Sequence, residues 1–92
     1  MIKGFKIKPK TIKARGDIKA IFIKKMSLQW RTFFKKAYWD NESLIVCFKT
    51  ATRLLLNRKC ISNNINAFLQ VIKDGLSKDG LNPDDYIIEV LE

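Results

Sequence analysis

Carboxylates, amides and lysines are the side chains of this sequence that could do chemistry. The chain has no histidine, which excludes histidine-based triads and histidine general bases. Its two cysteines, Cys47 and Cys60, lie in apolar segments without CxxC spacing, which excludes the usual zinc sites. The remaining candidates are an adjacent pair of carboxylates, Asp84 and Asp85, with Asp74 preceding them. Oxygen ligands of this kind suit a hard cation such as Mg²⁺.

A spaced set of residues within 58–92 forms a recognisable signature. Asp74 is followed by Gly and Leu, Gly80 comes next, and a paired Asp-Asp begins at Asp84. This order resembles the RusA-type Holliday junction resolvases, which carry Asp-x-Asp-Asn-x-x-Lys at a helix start before the same three features. The resemblance implies a homodimer that cleaves branched DNA with Mg²⁺. The aspartates would hold the metal and a phosphate oxygen, and the lysine would steady the phosphate.

The sequence departs from that signature at the metal-binding positions. Asn64 and Asn66 stand where the resolvases have their first two aspartates, and Gln70 stands where they have the lysine. An amide nearly matches a carboxylate in shape but carries no charge, so Mg²⁺ would lose most of its attraction. Asp85, aided by Asp84, is all that remains of the acidic set. We therefore expect a non-catalytic pseudoenzyme without a cofactor, and Mg²⁺ only if these two aspartates form an active site.

Positive charge is concentrated in the first two thirds of the chain. Residues 1–60 carry 16 Lys and Arg against 3 Asp and Glu, and residues 61–92 carry 2 against 6. The two parts therefore have net charges of +13 and −4, which sum to the +9 of the whole chain. A single-sign field of this size favours polyanions, because cations that contact phosphates release counterions. The basic part is expected to bind nucleic acid.

Five basic residues are the predicted phosphate contacts. Lys10, Lys13 and Arg15 lie where the resolvases have an early basic stretch, and Arg58 and Lys59 stand at the start of the signature region. The resemblance implies branched or duplex DNA as the partner. Contacts to phosphates carry no base sequence information, so recognition is expected to depend on the shape and charge of the DNA.

The composition is that of a folded protein. The chain has 92 residues, enough for a single domain, 1–92, with one core. It is 47% hydrophobic and 29% charged, which is typical of neither disordered nor membrane-spanning chains. No apolar run approaches the roughly 20 residues of a membrane-spanning helix. We expect a soluble protein of the cytoplasm, with no membrane contact.

The first forty residues show two strand patterns and one helix pattern. Residues 2–13 alternate between apolar and lysine positions, which predicts a strand with a basic outer face. Arg-Gly-Asp at 15–17 predicts a turn, and the apolar run at 18–26 predicts a short second strand. Ser27 is expected to cap an amphipathic helix that ends near Trp39. The apolar positions of that helix are Trp30, Phe33, Phe34, Ala37 and Tyr38.

The later elements follow from clearer patterns. Residues 44–48 are an apolar run that predicts a buried strand, and residues 49–61 predict a loop with a helical turn. Residues 65–80 predict a helix that Gly80 ends, and residues 86–91 predict a terminal strand. The buried face of that helix is Ile65, Phe68, Leu69, Ile72 and Leu76. The order β-(β)-α-β-α-β gives an α/β (α+β) fold, a small mixed sheet with two helices.

Three functions remain open at this stage. The favoured one is a non-catalytic RusA-like protein that binds DNA. The second is a small virus-encoded accessory or inhibitor protein that binds a host protein or nucleoprotein complex, which the small size and Lys- and Asn-rich composition fit equally well. The third is an active Mg²⁺-dependent junction endonuclease. That would need Asp74, Asp84, Asp85 and Glu89 to converge, although Asp74 could equally pair with Lys78 one helical turn away.

Overall fold

A computed structural model describes residues 3–24, 28–50, 52 and 65–92. Its elements in chain order are strand β1 (Gly4–Pro9), helix α1 (Ile12–Lys19), a π-helical turn (Ala20–Lys24), helix α2 (Leu28–Arg31), strands β2 (Phe34–Asp40) and β3 (Ser43–Phe48), helix α3 (Ile65–Lys78), a 3₁₀ turn (Pro83–Asp85) and strand β4 (Tyr86–Leu91). The strands form one sheet in the order β2-β3-β1-β4. The α+β class is confirmed, with α1 and α3 as its main helices. The sheet is antiparallel at every pairing rather than mixed.

Strand β1 lies at the centre of the sheet. Phe5 and Ile7 are fully buried on its helix-facing side, while Lys6 and Lys8 point to the opposite face. The predicted alternation is therefore confirmed for this stretch. The strand ends at Pro9, earlier than the predicted 2–13, because the next residues begin a helix.

Residues 12–24 are helical, so the turn predicted at 15–17 is wrong, and so is the strand predicted at 18–26 as far as residue 24. Residues 25 and 26 lie outside the described residues. The Thr11 hydroxyl accepts a hydrogen bond from the Ala14 N–H at 3.0 Å and caps α1. Ala14, Ile18 and Phe22 are buried at intervals of four, the spacing of one helix face. Burial of this face against the sheet favours the helix over the strand that the apolar run had predicted.

The helix predicted to follow Ser27 and end near Trp39 is confirmed only over Leu28–Arg31, which is α2. It is wrong further on, because Phe34–Asp40 is strand β2. The predicted cap, Ser27, lies outside the described residues. The pairing of β2 with β3 shifts register between Phe34 and Lys36, as in a β-bulge. The extra residue places Phe34 and Ala37, three apart, on the core side. In this bulged strand the apolar residues therefore have the same sequence spacing as on one face of a helix. Strand β3 confirms the buried strand predicted at 44–48.

Helix α3 and strand β4 agree with the sequence patterns. Phe68, Ile72 and Leu76 are buried along one face of α3, and Gly80 follows it with φ +83°. The Leu81 N–H donates to the Leu76 carbonyl at 3.0 Å, which closes the helix in a Schellman motif. Among the described residues, no helix has the length and apolar character needed to cross a membrane.

The core is rich in aromatic rings. Phe34 stacks on Phe48 with ring centroids 4.9 Å apart, and Phe48 meets Phe68 edge to face at 5.5 Å. Phe22 and Trp30 extend this cluster, with centroids 4.9 Å apart. The Trp30 indole N–H donates to the carboxylate of Asp79, beyond the last turn of α3. This cluster joins α3, and the π-helical turn that follows α1, to the sheet.

Candidate nucleic-acid interface

Helix α1 buries one face and presents basic side chains on the others. Ala14 and Ile18 lie in the core, and the four cations on and just before the helix are exposed. We name these cations the α1 basic surface: Lys10, Lys13, Arg15 and Lys19. The structure thus places two of the predicted contacts, Lys13 and Arg15, on α1 and a third, Lys10, just before it. Arg58 and Lys59, the other two, lie outside the described residues.

Arg15 is held against an aromatic ring. Its guanidinium carbon lies 3.9 Å from the ring centroid of Trp39 in β2. Such a cation–π contact is worth about 0.5–1 kcal/mol at an exposed site. The planar guanidinium keeps its N–H edges available while its face is stacked, and those edges suit phosphate oxygens. Trp39 therefore orients Arg15 without neutralising it.

Backbone and side-chain hydrogen bonds fix the start of α1. The Lys10 N–H donates to the Asp85 carbonyl at 2.8 Å, and the Tyr86 hydroxyl donates to the Ala14 carbonyl at 2.8 Å. Burial raises the pKa of Tyr86 to about 12, with added contributions from the carboxylates of Asp17 and Asp85. The α1 basic surface is thus bounded by acidic groups on the side towards β4.

The open face of the sheet, opposite the helices, carries mixed charge. Lys8 forms an ion pair with Glu42 at 3.1 Å. An open concavity of about 780 Å³ there is lined by Lys6 and Lys8 together with Asp40, Glu42 and Glu89. Cations and carboxylates alternate on this face, so its net field is weak. Of these two surfaces, the α1 basic surface suits a polyanion better.

The predicted catalytic and metal-binding residues lie at two ends of the fold. Asp84 and Asp85 are exposed in the 3₁₀ turn beside the start of α1. Asn66 and Gln70 are exposed in the first half of α3, whose Phe68 packs on Phe48 at the opposite end of the sheet. Asn66 lies roughly 18 Å along the axis from the last residue of α3, at 1.5 Å per residue. The structure therefore does not bring Asp85 together with Asn66 or Gln70.

These residues do not fit a hydrolytic magnesium site. The Gln70 amide donates to the Asp74 carboxylate at 2.9 Å, one helical turn further along α3. Within the described ranges, no three Asp, Glu, Cys or His side chains come close enough to hold a metal ion. Asn64 lies outside those ranges. No catalytic step through Mg²⁺ follows from this arrangement.

Comparisons with known proteins were made at the level of family models, curated proteins and solved structures. None of the three finds a match. The RusA-type resemblance therefore stays a prediction that depends on the signature residues alone. The geometry of the α1 basic surface carries the functional argument.

The sequence patterns missed three members of this surface region. Lys19 extends the row of cations by one helical turn, Trp39 orients Arg15, and Ile12 lies exposed among the lysines. The buried spacing of Ala14 and Ile18 was present in the sequence and could have indicated the helix. Nothing local indicated Trp39, because its contact joins two elements far apart in the chain.

Proposed function

We propose that this chain is a non-catalytic nucleic-acid-binding protein that holds DNA through the α1 basic surface. The observation that carries the proposal is the exposure of four cations on and beside one short helix, with Arg15 stacked on Trp39. Lys13 and Lys19 lie on the outer sides of the helix, where a duplex backbone can reach them. Phosphate contacts of this kind supply most of non-specific DNA affinity.

The mode of binding follows from the chemistry of these cations. Lysines act as mobile point charges, whereas a stacked arginine offers a fixed fork to a phosphate. Contacts of either kind to phosphates carry no base sequence information, so selectivity would come from the shape of the DNA. The resemblance to the resolvases adds branched DNA and a homodimer to the proposal. The separation of Asp85 from Asn66 supports the non-catalytic reading.

Direct titration tests the proposal. A labelled four-way junction, a duplex and a single strand are each titrated at two salt concentrations, with and without Mg²⁺. We expect binding that does not need Mg²⁺, weakens with salt and leaves the DNA uncut. Lys13→Ala should lower affinity for every DNA form and reduce the salt slope by about 0.9.

The matched control is Lys73→Ala, which removes an exposed lysine from α3. It should leave both affinity and salt slope nearly unchanged. Absence of binding to any DNA form would favour a protein partner instead, as for an accessory or inhibitor protein. Cleavage of the junction in Mg²⁺ would overturn the non-catalytic assignment.

A restoration experiment tests the resemblance separately. Asn64→Asp, Asn66→Asp and Gln70→Lys together restore the two aspartates and the lysine of the resolvase signature, with Ala67 kept in place of its asparagine. If the kinship holds, the restored chain should gain Mg²⁺ affinity, because two carboxylates would return to one helix start. Unchanged Mg²⁺ affinity in calorimetry would indicate that the spacing match is accidental.

A further inference from the structure

Ile12 is the most exposed large apolar side chain in the described part of the protein. It is 91% exposed, against 62% for Val71, the next most exposed. Single exposed apolar residues are common on protein surfaces and need no function by themselves. The neighbours distinguish Ile12, because Lys10, Lys13 and Arg15 surround it in the sequence and all three are exposed.

The backbone around Ile12 is fixed on both sides. The Lys10 N–H is bonded to the Asp85 carbonyl at 2.8 Å, and the Arg15 N–H donates to the Thr11 carbonyl at 3.0 Å. The Thr11 side chain caps the same turn. A β-branched side chain on a helix also has few rotamers, so little entropy is lost when it makes a contact. Ile12 is thus presented as a rigid apolar projection within a cationic surface.

We propose that Ile12 contacts an unstacked base, so that the α1 basic surface prefers nucleic acid with an interrupted base stack. The inference deepens the proposed function and depends on it. Phosphates on either side of the interruption would be held by Lys10, Lys13 and Arg15. The unstacked base would offer the apolar face that Ile12 needs.

Charge and polarity together favour this occupant. A continuous duplex hides its base faces and presents phosphates and groove edges, so Ile12 would gain little there. Junctions, bulges and single strands expose base faces between phosphates, and proteins contact such steps with apolar side chains. A protein partner would need several carboxylates around one apolar pocket to match these cations and Ile12, whereas every nucleic-acid strand carries its phosphates beside its bases.

The test compares Ile12→Ser with Val71→Ser, which removes an exposed apolar side chain from α3. Each variant is titrated against a duplex with one bulged base, a four-way junction and a matched continuous duplex, in EDTA at fixed salt. Ile12→Ser should weaken binding to the bulge and the junction about fivefold to tenfold, from the lost apolar contact. Duplex affinity should stay within about twofold, as expected for unchanged phosphate contacts. Val71→Ser should change neither.

A fluorescent base analogue at the bulge gives a second readout. The unmodified protein should change its emission on binding, and Ile12→Ser should remove most of that change while the complex still forms. Equal loss of affinity for bulge and duplex, or no loss for either, would overturn the role of Ile12 and leave the proposed function standing. Failure of the unmodified protein to bind any DNA would sink the proposed function itself.

Anionic vesicles provide the remaining arm, because an apolar side chain among cations could also enter a lipid surface. Phosphatidylserine and phosphatidylcholine vesicles are tested by sedimentation. No sedimentation is expected. Vesicle binding that Ile12→Ser abolishes, without any preference for bulged DNA, would reassign the surface to lipid and overturn the inference.

Discussion

Two glycines differ in what a methyl group would meet at their Cα atoms. At Gly4 a Cβ would overlap the carbonyl oxygen of Val46 in the neighbouring strand. At Gly16, inside α1, a Cβ would meet nothing within 4 Å, and alanine favours a helix over glycine by about 1 kcal/mol. Gly4→Ala should therefore lower the free energy of unfolding by about 2 kcal/mol or more, since backbone must move. Gly16→Ala should raise it by about 0.4–1 kcal/mol.

Urea denaturation of the two variants beside the unmodified chain measures both changes. The pair controls for composition, because each variant adds the same methyl group to the same chain. A stable Gly4→Ala variant would contradict the close approach of β1 to β3. A destabilised Gly16→Ala variant would contradict a helix at that position.

Tyr86 should make stability depend on alkaline pH. Burial raises its pKa to about 12, above the ordinary value of 10.0. The contribution of the protonated Tyr86 to the free energy of unfolding is complete below pH 10 and is lost as the pH rises towards 12. The reason is that the phenol loses its proton at a lower pH in the unfolded chain than in the folded chain. Tyr86→Phe should flatten that fall, and should cost about 1 kcal/mol at neutral pH through loss of the bond to Ala14.

Unfolding free energy measured between pH 8 and 12 separates this effect from lysine titration, which the variants share. Tyr38→Phe is the control, because Tyr38 is exposed on the open face. It should leave the pH profile of the unmodified chain in place. If the unfolding free energy of Tyr86→Phe depended on pH in the same way as that of the unmodified chain, the raised pKa of Tyr86 would be contradicted.

At the scale of elements, the stability of α1 depends on its N-cap residue, Thr11. The Thr11 hydroxyl satisfies the Ala14 N–H, and an alanine there cannot. Thr11→Ala should cost about 1 kcal/mol of stability, and Thr11→Ser should restore most of it, because serine caps equally well. Thermal denaturation measures both. Equal melting of the alanine and serine variants would argue against the cap.

Strands β1, β3 and β4 and helix α3 follow from their local sequence patterns. Phe5 and Ile7 alternate with lysines in β1, and Phe68 and Ile72 repeat at helical spacing in α3. The predictions for residues 12–24 and 34–40 were wrong for physical reasons. Residues 12–24 are helical because one face of the helix packs against the sheet. In β2, the bulge next to Phe34 spaces the core-facing residues three apart, as in a helix. Tertiary contacts of this kind override local propensity.

The candidate interface was only partly predictable. Charge and the resemblance pointed to Lys10, Lys13 and Arg15, although the strand and turn predicted for this segment were wrong. The backbone that carries them is bonded at Lys10 and Ala14 to Asp85 and Tyr86, near the other end of the chain. Hydrogen bonds between residues this far apart in sequence cannot be predicted until the strand pairing is known.

At the scale of the molecule, the position of negative charge should matter more than its amount. Asp84→Asn with Asp85→Asn removes two charges beside the start of α1 and keeps the Asp85 carbonyl bond to Lys10. DNA affinity should rise about threefold to tenfold at low salt, and the gain should shrink as screening increases. Fluorescence anisotropy at two salt concentrations measures it.

The control has the same net charge, with Glu89→Gln and Glu92→Gln on and after β4. It should raise affinity less, because Glu89 lies on the open face and Glu92 follows Leu91, whose partner is Gly4. An equal gain for both double variants would mean that net charge governs binding. That result would count against α1 as the contact surface.

Strand β1 pairs on one side with β3 and on the other with β4, so residue 4 lies beside residue 91. During synthesis on the ribosome, one edge of this first strand must wait until the last strand emerges. Pairings this distant in sequence form slowly, because a long loop must close first. Asp85 and Tyr86, which hold α1 in place, emerge equally late. The nascent chain therefore carries its cations before it has the surface that arranges them.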